Sequence, residues 1–222
     1  MLLHRIMVCT FLTFASAHTW AEVEMLYRNA PTTVELQINA AEHNPAQALE
    51  IGLVVFHPGF DGDSGEARKQ GIFPEIREAE ASYLPYALRR TLVDSNHWGA
   101  VRVLPTVSSG TELQLIGRII SSNGAELRFH LEARDARGHI WLDREFSAQA
   151  TETAYQAAER KRRRPFQDLY NEVANELLKA RNQLSAKELV RIRSTAELRY
   201  ANSLLPDAFG SFLQSTETGQ YQ

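Results

Sequence analysis

The chain has 222 residues, of which 44% are hydrophobic and 23% are charged, and its formal net charge is −3. This hydrophobic share is typical of globular proteins and excludes a wholly disordered chain. The weak net charge excludes a histone-like coat for nucleic acid, and the single cysteine excludes a disulfide framework within the chain. The length suits one sizeable domain with an appendage, or two small domains.

The first 21 residues have the pattern of a secretory signal peptide. Arg5 provides a positive start, and the uncharged apolar run that follows is too short to span a membrane. We predict cleavage after Ala21 in preference to Ala17; the alternative is a buried amino-terminal helix. Cys9 lies inside the apolar run without a lipobox and leaves with the signal. The exported chain is therefore predicted to be periplasmic, with no cysteine and no transmembrane helix.

The next elements are predicted to be a buried strand and a long helix. Residues 22–48 form a mixed segment in which only residues 34–38 alternate like a short strand. Residues 49–56 are a dense apolar run that suits a strand buried on both faces. A helix is predicted over residues 74–94, kinked or split by Pro85.

Two adjoining apolar stripes predict the buried side of this helix, and a second strand follows it. The stripes recur at intervals of three and four residues, and they consist of Ile76, Ala79, Tyr83, Ala87 and Thr91 and of Ile72, Leu84, Leu88 and Leu92. Tyr86, like Tyr83, is expected to lie in the core or at its edge. A turn at residues 96–99 then leads into a strand over residues 101–104.

Three strands are predicted to form an antiparallel meander. Residues 112–121 and 125–135 are joined at Asn123 and Gly124, a pair that tolerates the positive φ angles of a tight hairpin turn. In the second strand, alternation places one set of apolar residues in the core: Leu127, Phe129, Leu131 and Ala133. A turn at residues 136–138 leads to a third strand over residues 139–147.

From residue 151 the hydrophobic period becomes helical. Pro165 begins a stretch with one apolar stripe, and Ser185 with Glu188 forms a capping box that opens another helix. The fold class is therefore α/β (α+β): a mixed sheet with a three-stranded antiparallel meander packed by helices, followed by a helical carboxy-terminal extension. The predicted α/β domain covers residues 49–150, the extension residues 151–213 and a polar tail residues 214–222.

No motif predicts a catalytic or metal centre. The tetrapeptide at residues 62–65 matches the nucleophile motif of trypsin-like proteases, but the fold signals do not suit that class. Asp61, Asp63 and Glu66 do not keep EF-hand spacing, and the histidines lack zinc-pair spacing. We therefore expect a non-enzymatic protein without cofactor or metal. The alternative is an exported hydrolase in which His57 works with Asp61 or Asp63.

Five consecutive positive charges are the most unusual local feature of the chain: Arg160, Lys161, Arg162, Arg163 and Arg164. Their field attracts acidic lipid headgroups, phosphate-bearing glycolipid or an acidic protein. Nucleic acid is not an expected partner of an exported protein. This basic run is interpreted either as a solvated junction between helices or as a contact site for a partner or an anionic surface.

The meander carries a pattern of turns and apolar positions found in an envelope family. The pattern consists of Gly117, Ile119, Asp135, Gly138 and Trp141. On these residues, residues 49–150 resemble the α/β domain shared by the TolB amino-terminal domain, the curli-secretion lipoprotein CsgG and lipoprotein activators of penicillin-binding proteins. They resemble other exported proteins of Gram-negative bacteria more closely. The missing lipobox and the helices after residue 151 depart from that family.

This resemblance implies an envelope protein that works by binding, as an assembly or scaffold module. The partners it implies are envelope proteins or the inner face of the outer membrane, and homo-oligomers occur in such families. Fold-level similarity alone does not fix a function.

Overall fold

The computed structural model describes residues 33–41, 48–61, 64–69, 71–150, 155, 164–214, 216 and 220–221. From Val34 onward, these residues belong to one compact unit. The predicted signal peptide lies outside the described residues, as do Asp63 and positions 160–163 of the basic run.

A five-stranded mixed sheet forms the centre of the fold, in the order β2-β1-β3-β4-β5. β1 runs parallel to both of its neighbours, whereas β3, β4 and β5 form an antiparallel meander. The strands are β1 (Ile51–Val54), β2 (Val101–Leu104), β3 (Leu113–Ser122), β4 (Glu126–Asp135) and β5 (Ile140–Gln149). The predicted mixed sheet and its meander are confirmed.

The described helices keep the predicted order, with one addition, a short helix that begins at Ser64 and was not predicted. They are α1 (Ser64–Lys69), α2 (Pro74–Ser95), α3 (Gln167–Arg181), α4 (Ala186–Leu204) and α5 (Pro206–Phe209), and a 3₁₀ turn over Gly210–Phe212 follows. The Ser185–Glu188 capping box opens α4 as predicted. Within the described part of the chain, no helix has the length and apolarity needed to cross a membrane.

One hydrophobic core lies between the sheet and the helices. Leu127, Phe129 and Leu131 of β4 are fully buried, as their alternation predicted. They join one cluster with leucines of α2, such as Leu88, and with residues of α3 and α4, such as Val173. α2 and α3 touch each other and the sheet, so they cover the same face of it. We call the opposite side the open face.

Outside the helices, two local predictions are wrong. Residues 34–38 form no strand, because their backbone bonds to side-chain amides: Asn175 accepts from the Gln37 N–H at 3.0 Å and donates to the Glu35 carbonyl at 2.8 Å. At the hairpin tip, Gly124 has a positive φ but Asn123 does not. The loop has three residues, and the Asn123 side chain accepts from the Glu126 N–H at 2.7 Å.

α2 is continuous through Pro85, so the proline does not split it. Pro74 occupies its first turn, where a missing N–H costs nothing, and Asn96 ends it with a left-handed φ of 55°. The stripe of Leu84, Leu88 and Leu92 is buried as predicted. The prediction for the adjoining stripe is wrong for Ile76, Ala79 and Tyr83, which face solvent.

The backbone of β3 at Gly117 lies close to Phe56, which follows β1 by two residues. A Cβ atom at this position would lie 2.5 Å from the ring of Phe56. Phe56 is buried, and its ring centroid is 5.5 Å from that of Phe129. The absence of a side chain at Gly117 therefore lets an aromatic ring lie directly on the strand backbone.

Candidate interaction surface

The structure describes Arg164 alone among the five positions of the predicted basic run. Its guanidinium donates to the Ala87 carbonyl at 3.3 Å and to the Gln167 side chain at 3.4 Å. These contacts join the start of α3 to the middle of α2, so Arg164 has a role in the fold. Arg160, Lys161, Arg162 and Arg163 lie outside the described residues, and their surface contact stays a prediction.

The hydrolase alternative placed His57 beside Asp61, and the structure brings these two side chains together. His57 Nε2 lies 3.0 Å from Asp61, and Arg118 donates to the other Asp61 oxygen at 2.7 Å. That hydrogen bond is the main cause that holds the pKa of Asp61 below its usual value. His57 Nδ1 accepts from the Gly59 N–H at 3.1 Å. Both imidazole nitrogens are therefore engaged in contacts within the protein.

Three further acidic side chains are paired with bases. Glu66 pairs with Lys69 in α1. Asp143 pairs with His130 at 2.8 Å on the open face, where Glu145 lies 3.9 Å from Arg128. Within the described ranges, no three His, Cys, Asp or Glu side chains are grouped so that they could hold a metal ion.

The turn between β4 and β5 explains part of the envelope-family pattern in physical terms. Asp135 is buried and accepts three hydrogen bonds: from the backbone of Arg137 at 2.9 Å, from that of His139 at 3.1 Å and from the Trp141 indole at 3.1 Å. Gly138 supplies the positive φ of 89° that the turn requires. This aspartate, glycine and tryptophan therefore hold a tight turn together.

A cleft of about 700 Å³ lies beside the amino-terminal ends of β1 and β3, under α4. Glu50 and Arg102 pair across its floor at 2.6 Å. Glu112 accepts from Arg193 at 2.8 Å and from the Glu50 N–H at 2.7 Å. These charged groups are used within the fold, and the cleft presents no polar arrangement that indicates a class of ligand.

The clearest unpartnered feature is a line of side chains along the solvent side of α2. We call it the α2 ridge; its members are Ile76, Ala79, Tyr83, Tyr86, Arg90 and Val93. Of the surface of its large residues, Ile76 exposes 59%, Tyr83 50%, Tyr86 48% and Val93 49%. Together these leave roughly 450 Å² in contact with water, comparable to the largest apolar patch of a typical monomer.

The spacing of the α2 ridge matches that of a helix–helix seam. Its members alternate at intervals of three and four residues, which are the a and d positions of a heptad repeat. The opposite side of α2 is anchored in the core by leucines such as Leu88. The ridge therefore lies on a helix that is already held in place by the core. A partner can bind it without the entropic cost of ordering that helix.

Charge is distributed unevenly beside the ridge. Glu75 and Glu78 flank its amino-terminal half, whereas Arg90 lies within its carboxy-terminal half. Glu75 is already bonded to Arg68 of α1. Arg89 donates to the Val101 carbonyl at 2.9 Å, which ties that side chain to β2.

The sequence did contain a signal that separates the ridge from the core stripe. Leu84, Leu88 and Leu92 form a stripe of leucine alone, as is typical of a core. The ridge contains two tyrosines and an arginine, which are enriched at protein interfaces. Trp98 is buried and Trp141 is partly buried against the core, whereas Tyr83 and Tyr86 are half exposed and not in the core.

Comparison with known proteins identifies no family for the chain. No protein-family model matches it, and no curated protein matches it.

Proposed function

We propose that this protein is a non-enzymatic interaction or assembly module of the bacterial cell envelope, in the periplasm or associated with the outer membrane. The predicted signal peptide supports export, and the resemblance of residues 49–150 to envelope domains supports a binding role. The observation that carries the proposal is the α2 ridge, an exposed apolar line on a rigid helix.

The ridge supports binding of a protein rather than a small molecule. It is convex and about five turns long, whereas small-molecule sites are concave and enclose their ligands. Its aromatic and arginine content is that of protein interfaces. A helix is the partner element that its heptad spacing accommodates.

The contacts of the charged residues also favour binding over hydrolysis. The His57 imidazole is held between Gly59 and Asp61, and Asp61 is held by Arg118. A general base needs a nitrogen or oxygen within reach of the proton that it abstracts. In this arrangement the imidazole instead links the residues that follow β1 to Asp61, four positions further along the chain.

Photo-crosslinking in living cells tests the proposal. A photoreactive amino acid replaces Tyr86 in one variant, and in the matched control it replaces Lys187, which is exposed on α4. We expect the Tyr86 variant to yield a discrete protein adduct in the periplasmic or outer-membrane fraction and the control to yield none. Absence of adducts at Tyr86, Tyr83 and Val93, or retention of the protein in the cytoplasm, would contradict the proposal.

A further inference from the structure

We infer that the partner of the α2 ridge is a second copy of this chain, with the two α2 helices packed antiparallel about a two-fold axis. This inference rests on the proposed function, because it names the occupant of the same surface. In such an isologous interface, each residue meets its counterpart across the axis.

The ridge is complementary to its own reverse. With the axis between Leu84 and Pro85, Tyr83 of one copy lies opposite Tyr86 of the other, and Ile76 lies opposite Val93. The small Ala79 lies opposite the long Arg90. Every large side chain therefore meets an aromatic or aliphatic partner, or the space left by an alanine.

The parallel arrangement lacks this fit. There, Arg90 of one copy would meet Arg90 of the other, and Ala79 would meet Ala79. The first pair places like charges together, and the second leaves a gap in the seam. The order of residues along the ridge therefore favours antiparallel packing.

Charge favours the same orientation. Antiparallel packing brings Arg90 of each copy to the acidic half of the other, close to Glu78. Glu75 in that half is paired with Arg68 of its own chain, so it contributes neither to this attraction nor to a strong repulsion from Asp94 of the other copy. Complementary flanks of this kind select a partner and its direction.

The exposed area indicates how strong the dimer is. Two ridges bury roughly 900 Å² in total, which is below the ~1,200 Å² at which stable interfaces begin. We therefore expect a reversible dimer with a dissociation constant on the order of 10 µM. Such a module would associate where it is concentrated, as at an envelope assembly site.

Disulfide trapping tests the orientation directly. Residues 22–222 contain no cysteine, so single cysteines can be added in a Cys9→Ser background. We expect a mixture of Ala79→Cys and Arg90→Cys proteins to form at least tenfold more disulfide-linked dimer than either variant alone. Efficient linkage of each variant with itself would overturn the antiparallel arrangement.

Sedimentation of the purified exported chain over a range of concentrations tests the dimer itself. We expect Tyr86→Glu to weaken association at least tenfold and Lys187→Glu to leave it unchanged, with both variants folded by circular dichroism. A chain that stays monomeric at 200 µM, on the order of twenty times the expected dissociation constant, overturns the inference. If the chain is monomeric but Tyr86 forms adducts with another protein in cells, the proposed function stands and only the dimer is excluded. If neither a dimer nor an adduct is found, the dimer and the proposed function both fail.

Discussion

Replacing Gly117 by alanine would place a methyl group against the ring of Phe56. Three ring atoms would lie 2.5 to 2.6 Å from the new Cβ, whereas non-bonded carbon atoms prefer about 3.5 to 4.0 Å. The ring cannot move away freely, because it packs on Phe129, whose ring in turn lies 6.0 Å from that of Phe146. The Phe56 side chain must therefore leave its preferred rotamer, or β3 must move away from the sheet.

Overpacking of a core in this way costs about 1–3 kcal/mol. Alanine is favoured over glycine in a strand by roughly 0.5–1 kcal/mol, which offsets part of the cost. We expect Gly117→Ala to lower the free energy of unfolding by about 1–2 kcal/mol, with a fall in Tm of roughly 2–8 °C for a chain of this size. Urea unfolding followed by tryptophan fluorescence measures the change.

A double-mutant cycle with Phe56→Leu isolates the steric contact. We expect Phe56→Leu to destabilise the protein by about 1–2 kcal/mol alone, and by at least about 1 kcal/mol less in the Gly117→Ala background. Gly210→Ala is the matched control, because its Cβ would meet its nearest neighbour only at 3.4 Å. Additive effects of the two substitutions, or a Gly117→Ala protein as stable as the parent, would refute the steric argument.

Further substitutions test the turn, the base of α4 and a capping group. Asp135→Asn should lower the free energy of unfolding by about 1–3 kcal/mol, because an amide cannot accept all the hydrogen bonds that the carboxylate accepts, including that from Trp141. An Asp135→Asn protein as stable as the parent in urea would contradict this. Arg193→Met should lower the free energy of unfolding by about 2 kcal/mol, because it leaves buried Glu112 without its cation. Adding Glu112→Gln to that variant should restore part of the lost stability, and the Tm of each variant measures the change. Hydrogen bonds from the capping serine lower the pKa of Glu188, so its stabilisation is present above the unfolded value near 4.5 and is lost as pH falls through the folded value. Urea midpoints of parent and Glu188→Gln should therefore differ at pH 7 and converge below pH 4.5, and a constant gap would contradict this.

The meander and the turn after β4 were predictable because their signals are local. Alternation along β4 assigns each side chain to a face, and Gly138 marks a turn within a few residues. The hydrogen bonds of Asp135 were not predictable, since they depend on how the turn brings Trp141 back over the carboxylate. The resemblance singled out the same residues without their geometry.

The pairing of His57 with Asp61 could be anticipated from their spacing, but the other groups that bind this pair could not. Arg118 comes from β3, far along the chain, and binds the second oxygen of the carboxylate that contacts His57. The Gly59 N–H occupies the remaining nitrogen. The Gly59 contact is local, whereas the Arg118 contact exists only after β3 comes to lie beside His57.

The sequence alone determined the fold class, because hydrophobic period and turn chemistry specify strands and helices locally. It also displayed both stripes of α2. In the stripe that contains Tyr83, Ala87 and Thr91 are buried as predicted, whereas Ile76, Ala79 and Tyr83 were wrongly assigned to the core. Only the tertiary structure decided which stripe faces water. α3, about 80 residues further on, covers the side of Ala87 and Thr91 and leaves the α2 ridge exposed. Periodicity shows that a helix has an apolar face, but only tertiary packing determines which element covers that face.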